Sequence, residues 1–336
     1  MRIVLATNWW PPRVGGIESQ VADLAGVLAC RGHAVRVLTT TRHPIPVPGV
    51  RIDSIDWPIV NDFPAPDLRR VSAVAAYLED AAPDVMHAHG MFLSVSIGAI
   101  IATSRLGIPS VSTVHSLMRP WPDCLAGCAV FRLFSNRADV LTAVSEAAAG
   151  DVRRASGREA VQIPNGLNLA DWRVPRRQQD GIRIVSVTRL VPKKSPIDLI
   201  RGLHQARLRR SDVTLTIAGD GSERARLERE AARLGVDHYV RFLGPCSRTQ
   251  VRELFADASM LAHPGDLEAF GLAVLEARAA GVPVVAVRAG GVPDLVTDRV
   301  HGRLARTRRD ALDGFGLSGT AGSTVMTGMG CVCVSA

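Results

Sequence analysis

The sequence predicts an α/β fold built as two successive domains, and three observations carry that expectation. Helical and strand-like patterns alternate along nearly the whole chain. The strands read as continuous apolar runs, as strands covered on both faces must. At 336 residues and 47% hydrophobic content, there is apolar material for two cores rather than one.

Residues 3–6 are the first apolar run and predict a strand. It leads through Trp9-Trp10-Pro11-Pro12 to Gly15-Gly16, after which a helical pattern runs from Glu18 through Val21, Leu24, Ala25 and Leu28 to Gly32. Residues 35–39 are the second strand. This β-loop-α-β opening sets glycines at a helix start, where backbone N–H groups can face a phosphate. It is not G-x-G-x-x-G, and no acidic residue closes the second strand to hold a ribose, so a dinucleotide-dependent dehydrogenase is disfavoured. Residues 84–89, 109–114 and 139–144 read as further strands and 94–106 as a helix, with Ser145 placed to cap the helix that follows. A short strand and turn close at Pro164-Asn165-Gly166. The polar, Arg-rich stretch 166–181 is the best linker. The alternation then restarts, with strands at 182–187, 213–218 and 240–243 and helices at 196–207 and 222–234. A ligand is expected at the carboxyl ends of the strands, in a cleft between the two domains.

The formal charge of +8 arises from 40 Lys+Arg against 32 Asp+Glu, with clusters at Arg176-Arg177, 207–210 and 306–309. This is either a solvated basic surface or one that attracts anionic lipid headgroups or a phosphorylated acceptor. Nucleic acid is disfavoured as a partner, because aromatics are 4% and no basic-aromatic stretch occurs. The six cysteines form no paired C-x-x-C set, and Cys124 and Cys128 lack a second pair at zinc spacing. They read as buried thiols, and a reduced, cytoplasmic setting fits. No signal peptide opens the chain, and its most apolar stretch, 95–101, is far too short to span a bilayer.

Several pieces carry chemistry. Arg189 and Lys194 follow a buried strand, where two cations can neutralise a diphosphate and the charge that builds on a leaving group. Glu268 and Glu276 are eight apart. With a helix from about Gly271, Glu268 precedes it and Glu276 lies little more than a turn inside, so both can reach a ligand over the helix N-terminus. Phe270 and Gly271 offer backbone N–H groups there. No D-x-D carboxylate pair for a metal occurs; the nearest, Asp53 and Asp56, has the wrong spacing. His87 and His89 share a strand face and imitate a metal pair, yet no third ligand stands at fitting spacing, so they read as structural or cleft-lining. A lone histidine such as His115 is by its residue type most often structural.

Read in order, Gly15-Gly16-Ile17-Glu18, Thr113-Val114-His115, Val144-Ser145, Pro164-Asn165-Gly166, Arg189 to Lys194, Gly219-Asp220-Gly221, Glu268 to Glu276 and Gly290-Gly291-Val292-Pro293-Asp294 form an ordered set spanning about residues 1–305. This set resembles the retaining glycosyltransferases of family 4, the sucrose synthase and phosphatidylinositol mannosyltransferase group. Its N-terminal half is similar to the catalytic subunit of N-acetylglucosaminyl-phosphatidylinositol transferase. The resemblance implies a GT-B fold, two facing Rossmann-like domains with a donor cleft between them. It divides the chain into an acceptor domain over 1–165, the linker 166–181, a nucleotide-sugar donor domain over 182–305 and an atypical tail over 306–336.

It also implies transfer of a hexose or N-acetylhexosamine from a UDP- or GDP-linked donor, without a metal or other cofactor. The partner is a hydroxyl acceptor, whether lipid-linked, polysaccharide or small molecule, and the protein works in the cytoplasm or at the inner membrane surface in peripheral contact with anionic lipid. In the family's terms His115, Arg189, Lys194 and Glu268 are the catalytic set. Gly16, Gly219, Phe270, Gly271, Leu272 and Glu276 bind the donor, with Glu276 on the ribose hydroxyls and Glu268 and His115 at the sugar. Two positions depart from the pattern: Ser195 replaces a glycine after the lysine, and Ser116 an aspartate after the histidine. The tail from Arg306 is rich in Gly, Ser and Thr, shows no helical period and predicts poor order after about residue 315. The other reading is a relative that keeps the donor site but has lost turnover with its missing C-terminal helices.

Overall fold

Strands that are apolar on both faces need helices on both faces, and the chain supplies them in two sets. The computed structural model describes residues 1–57, 59–60, 63–64, 70–90, 94–118, 125–177 and 180–314. The chain divides into two units, Met1–Asn165 and the remainder from Gly166.

The first unit runs β1 (Arg2–Thr7), α1 (Gly16–Cys30), β2 (Ala34–Thr39), β3 (Val50–Ser54), β4 (Ile59–Val60), β5 (Phe63–Pro64), α2 (Val71–Ala81), β6 (Val85–His89), α3 (Ser94–Leu106), β7 (Ser110–Val114), α4 (Leu125–Ser135), β8 (Val140–Ala143), α5 (Glu146–Ser156) and β9 (Val161–Gln162). Seven of these strands form a parallel sheet in the order β3-β2-β1-β6-β7-β8-β9, and β4 and β5 pair as a separate antiparallel ribbon. Successive residues of β1 serve opposite faces. Ile3 and Leu5 pack with Val21 and Ala25 of α1, while Val4 and Ala6 pack with Val95 and Ala99 of α3.

The second unit runs α6 (Leu169–Trp172), β10 (Ile182–Val187), α7 (Ile197–Arg209), β11 (Val213–Ala218), α8 (Arg224–Arg233), β12 (Val240–Gly244), α9 (Arg248–Asp257), β13 (Met260–His263), α10 (Leu272–Ala279), β14 (Val284–Val287), α11 (Val292–Leu295), β15 (Gly302–Ala305) and α12 (Arg308–Gly314). Its six parallel strands follow the order β12-β11-β10-β13-β14-β15. Each unit thus puts its first strand in the middle, between its sheet's second and fourth strands. The chain leaves that strand towards one edge and later returns on the other side. Such a reversal opens a crevice at the carboxyl ends of the two central strands, where ligands of open α/β sheets bind.

Three details differ from the sequence reading. Helix α1 starts at Gly16, two residues before the expected Glu18. Residues 166–181, read as a linker, carry helix α6, whose Trp172 is buried, and Arg176 and Arg177 tie the stretch to α9 through Phe255 O and Asp257. Residues after Arg306 do include a helix, α12, packed on α7. Its start is a reciprocal cap: Asp310 N donates to Thr307 Oγ1 (3.2 Å) and Thr307 N to Asp310 Oδ2 (3.1 Å). Cys128, expected to be buried, is half-buried; the expectation for the tail beyond residue 315 lies outside the described residues, as do Cys124, Cys331 and Cys333. No helix among the described residues is long and apolar enough to cross a membrane.

Candidate functional site

In the second unit the crevice lies between β10 and β13, and the chemistry-bearing loops leave those two strands. After β10, Arg189 is exposed, Leu190 is fully buried, and Pro192–Lys194 forms one 3-10 turn. The buried leucine anchors a loop whose Arg189 and Lys193 are exposed. This loop is gripped by the Gly219-Asp220-Gly221 turn: Thr188 N donates to Ala218 O (3.0 Å), Leu190 N to Asp220 O (2.8 Å) and Glu223 N to Leu190 O (2.9 Å). Gly219 has φ 138, and a Cβ there would lie 1.9 Å from Thr188 O. Only glycine permits that approach.

After β13 the chain runs from His263 to Gly271, which caps α10 with φ 97. Glu268 in this loop meets Lys194: Nζ is 2.5 Å from Oε2, with both side chains at most 17% exposed. His263, a buried histidine that sequence reasoning passed over, places Nε2 3.3 Å from the same oxygen. Both contacts fall on Oε2. Burial pushes the Glu268 carboxyl up, but the His263 contact and the Lys194 charge outweigh it and hold its pKa well below the usual carboxylate range. Burial, followed by repulsion from Arg189 and Lys194, lowers Lys193. Three cations therefore stand within six residues of one loop, one of them, Lys194, paired with Glu268.

The Gly290-Gly291 pair fixes the acidic loop from behind. Gly291 N donates to Glu268 O (2.9 Å), and a Cβ on Gly290 (φ 60) would lie 2.0 Å from that oxygen. The side chain of Phe270 is buried, and Glu276, fifth in α10, is half-buried. Leu272 opens the helix, so Phe270, Gly271 and Leu272 together present the positive end of its dipole. Ser195 adopts φ 49, the left-handed conformation that suits a glycine, and its Oγ accepts from Arg308 Nη1 (2.8 Å). Arg308 also reaches Asp266 (3.3 Å), bridging the two loops from α12. Neither Arg308 nor His263 belongs to an ordered motif. A histidine ending a short apolar strand just before Pro264 was the one signal available for His263.

The first unit holds the remaining candidates. Gly16 opens α1 behind Gly15, and the buried Glu18 takes Arg13 at 3.4 Å while that guanidinium lies 4.3 Å over the Trp9 ring. His115 follows β7, and its Nε2 lies 3.0 Å from His89 Nδ1. His87 Nε2 bonds Thr113 Oγ1 (2.6 Å), which bonds Thr142 Oγ1 (2.6 Å), so a polar ladder crosses β6, β7 and β8. Burial lowers His87 to about 4 and His115 to about 3, and takes His89 well below its ordinary value. All three imidazoles are neutral at neutral pH. Their rings stand in a row, with centroids 4.0 and 5.3 Å apart, although no group of three or more His, Cys, Asp or Glu among the described residues is arranged to hold a metal. A cavity of ≈ 300 Å³ lined by Asp298, Arg299, Arg303 and Arg306 contains none of these residues and lies at β15 and α12.

Residues 14–171 match the family described as Glycosyltransferase Family 4, and residues 171–313 match Glycosyl transferases group 1. The chain is 31% identical over 320 residues to a glycogen synthase of Mycobacterium tuberculosis, covering 84% of this chain and 76% of that one. It is 32% identical over 334 residues to a D-inositol 3-phosphate glycosyltransferase of Kribbella flavida, covering 86% and 78%. Among solved structures it is similar to Anabaena HepE in complex with UDP and glucose, with a TM-score of 0.77 and 25% identity over 94% of this chain and 89% of that one. Two parallel α/β units with these neighbours define a glycosyltransferase of GT-B architecture. The chain belongs to family 4 of these enzymes.

Proposed function

We propose that this glycosyltransferase transfers a hexose or N-acetylhexosamine from a nucleotide diphosphate sugar to a hydroxyl acceptor, with retention at the anomeric carbon and without a metal. The observation that carries the reading is the pairing of loops at the β10/β13 switch: cations Arg189 and Lys194 on one side, Glu268 and the α10 N-terminus on the other. The cations and the helix end hold the diphosphate, Glu276 takes the ribose hydroxyls, and Glu268 accepts from the sugar. HepE was seen with UDP and glucose, which supports a nucleotide-linked donor.

The chemistry asks for no protein nucleophile. The bond from C1 to the diphosphate oxygen breaks as the acceptor oxygen bonds to C1 on the same face, and the acceptor proton passes to the departing phosphate. Charge builds on that phosphate, and preorganised cations stabilise it without rearranging. His115, neutral, contributes a polar contact to the sugar. The test is turnover of UDP- and GDP-sugars on a panel of lipid, glycan and small-molecule acceptors, with EDTA present and the product's anomeric configuration read by NMR. Inversion, or loss of activity restored only by a divalent cation, contradicts the reading.

A further inference from the structure

His89 is 2% exposed and ends β6, one strand over from His115. Its Nδ1 faces His115 Nε2 at 3.0 Å, and its own Nε2 is buried without a hydrogen-bond partner. Two neutral imidazoles in such a contact share one bridging proton, and each ring carries one proton in all. If His115 supplies the bridging proton from Nε2, then His89 keeps its proton on Nε2, as a buried donor with nothing to accept it. If His89 supplies it from Nδ1, then its Nε2 is a bare acceptor, and His115 carries its proton on Nδ1. Orphaned buried N–H groups are the rarer and costlier of the two. The packing of His87 against His89, with His87 itself tied to Thr113, holds the ring in this orientation.

We propose that His89 is a positioning residue for His115: it donates Nδ1–H to His115 Nε2 and fixes His115 as the tautomer that offers Nδ1–H to the ligand. His115 then acts as a hydrogen-bond donor to an oxygen, a sugar hydroxyl or a phosphate, and not as a base. The inference rests on the reading of His115 as a donor-sugar contact. It differs from a purely structural role for His89 in the proton position it dictates.

Long-range proton–nitrogen NMR spectra of the ¹⁵N-histidine-labelled wild-type protein, with His115 assigned by its loss in His115→Ala, read the tautomer directly. The expected result is a protonated Nδ1 and a bare Nε2 on His115; a protonated Nε2 overturns the proposal without any His89 variant having to fold. For the role in turnover, His89→Leu fills the space without the donor, and His89→Asn keeps an N–H near the Nδ1 position. With the UDP- or GDP-sugar found active in the turnover test, His89→Leu is expected to lower kcat by about 10- to 100-fold with the donor KM little changed. His89→Asn is expected to recover most of that loss. Equal losses in the two variants, both folded by circular dichroism, overturn the positioning role. Full activity in His115→Ala instead overturns the reading of His115 itself, so the two failures are distinct.

Discussion

Lys194 and Glu268 depend on one another before either meets a ligand. With side chains 12% and 17% exposed, the two charges compensate one another for leaving water, and His263 adds a second contact to Glu268. Lys194→Ala is therefore expected to destabilise the second unit by roughly 3 kcal/mol, the low end for a broken buried pair, since the carboxylate keeps some exposure. The double variant Lys194→Met with Glu268→Gln is expected to lose less than Lys194→Ala alone, because no buried charge is stranded. Denaturant titrations check this, and equal losses contradict it. The sign with pH follows from the lowered Glu268 pKa. Its contribution is present above the ordinary carboxylate range and is lost as pH falls through the folded value, so the Glu268→Gln difference shrinks in acid. Ser195, held at φ 49, carries strain of about 1 kcal/mol against a bond to a half-exposed Arg308 worth less. Ser195→Gly is expected to raise the melting midpoint by about 1–3 °C; a fall would show that the Arg308 bridge outweighs the strain.

Among the elements, those with clean apolar runs were legible at nearly their observed bounds: β10 and β11 match residues 182–187 and 213–218, and Ser145 does cap α5, accepting from Ala148 N. The short runs of β13 and β14 were not, because three or four apolar residues fit a buried helix as well as a strand. The cap of α12 was hidden by the Gly- and Thr-rich composition that follows it. The histidine row was hidden for another reason. His89 pairs with Thr113, and His115 lies two residues beyond it, so their meeting is set by the register of β6 on β7, which residue spacing does not contain. That row has a measurable consequence. His87 and His115 sit at about 4 and about 3, below their unfolded values. Between pH 6.5 and 4 the unfolded chain takes up protons that the folded unit refuses, so stability falls as the pH is lowered, by up to about 1.4 kcal/mol per unit per histidine. His87→Gln, which keeps an amide near Thr113, is expected to flatten the decline in melting temperature of the first unit. An unchanged slope contradicts the burial of a neutral His87.

At the scale of the molecule, two units repeat one strand order, and the candidate residues fall on loops at the carboxyl ends of the strands or in the helices those loops lead into. The sequence made the class legible because its motifs are the backbone contacts that shape these loops: Gly219 grips the Arg189 loop, and Gly290-Gly291 braces Glu268. The sugar, base and acceptor were not legible, since a few side-chain contacts decide them and no motif encodes those. What stands or falls first is donor binding at the β10/β13 switch. Calorimetry with UDP-, GDP- and ADP-sugars on the wild type, Arg189→Ala, Glu276→Ala and, as a control in the separate β15 cavity, Arg303→Ala measures it directly. At least one donor is expected to bind, with binding lost in the first two variants and kept in Arg303→Ala; wild-type affinity in Arg189→Ala and Glu276→Ala, or no donor bound at all, would show that the β10/β13 switch is not the donor site.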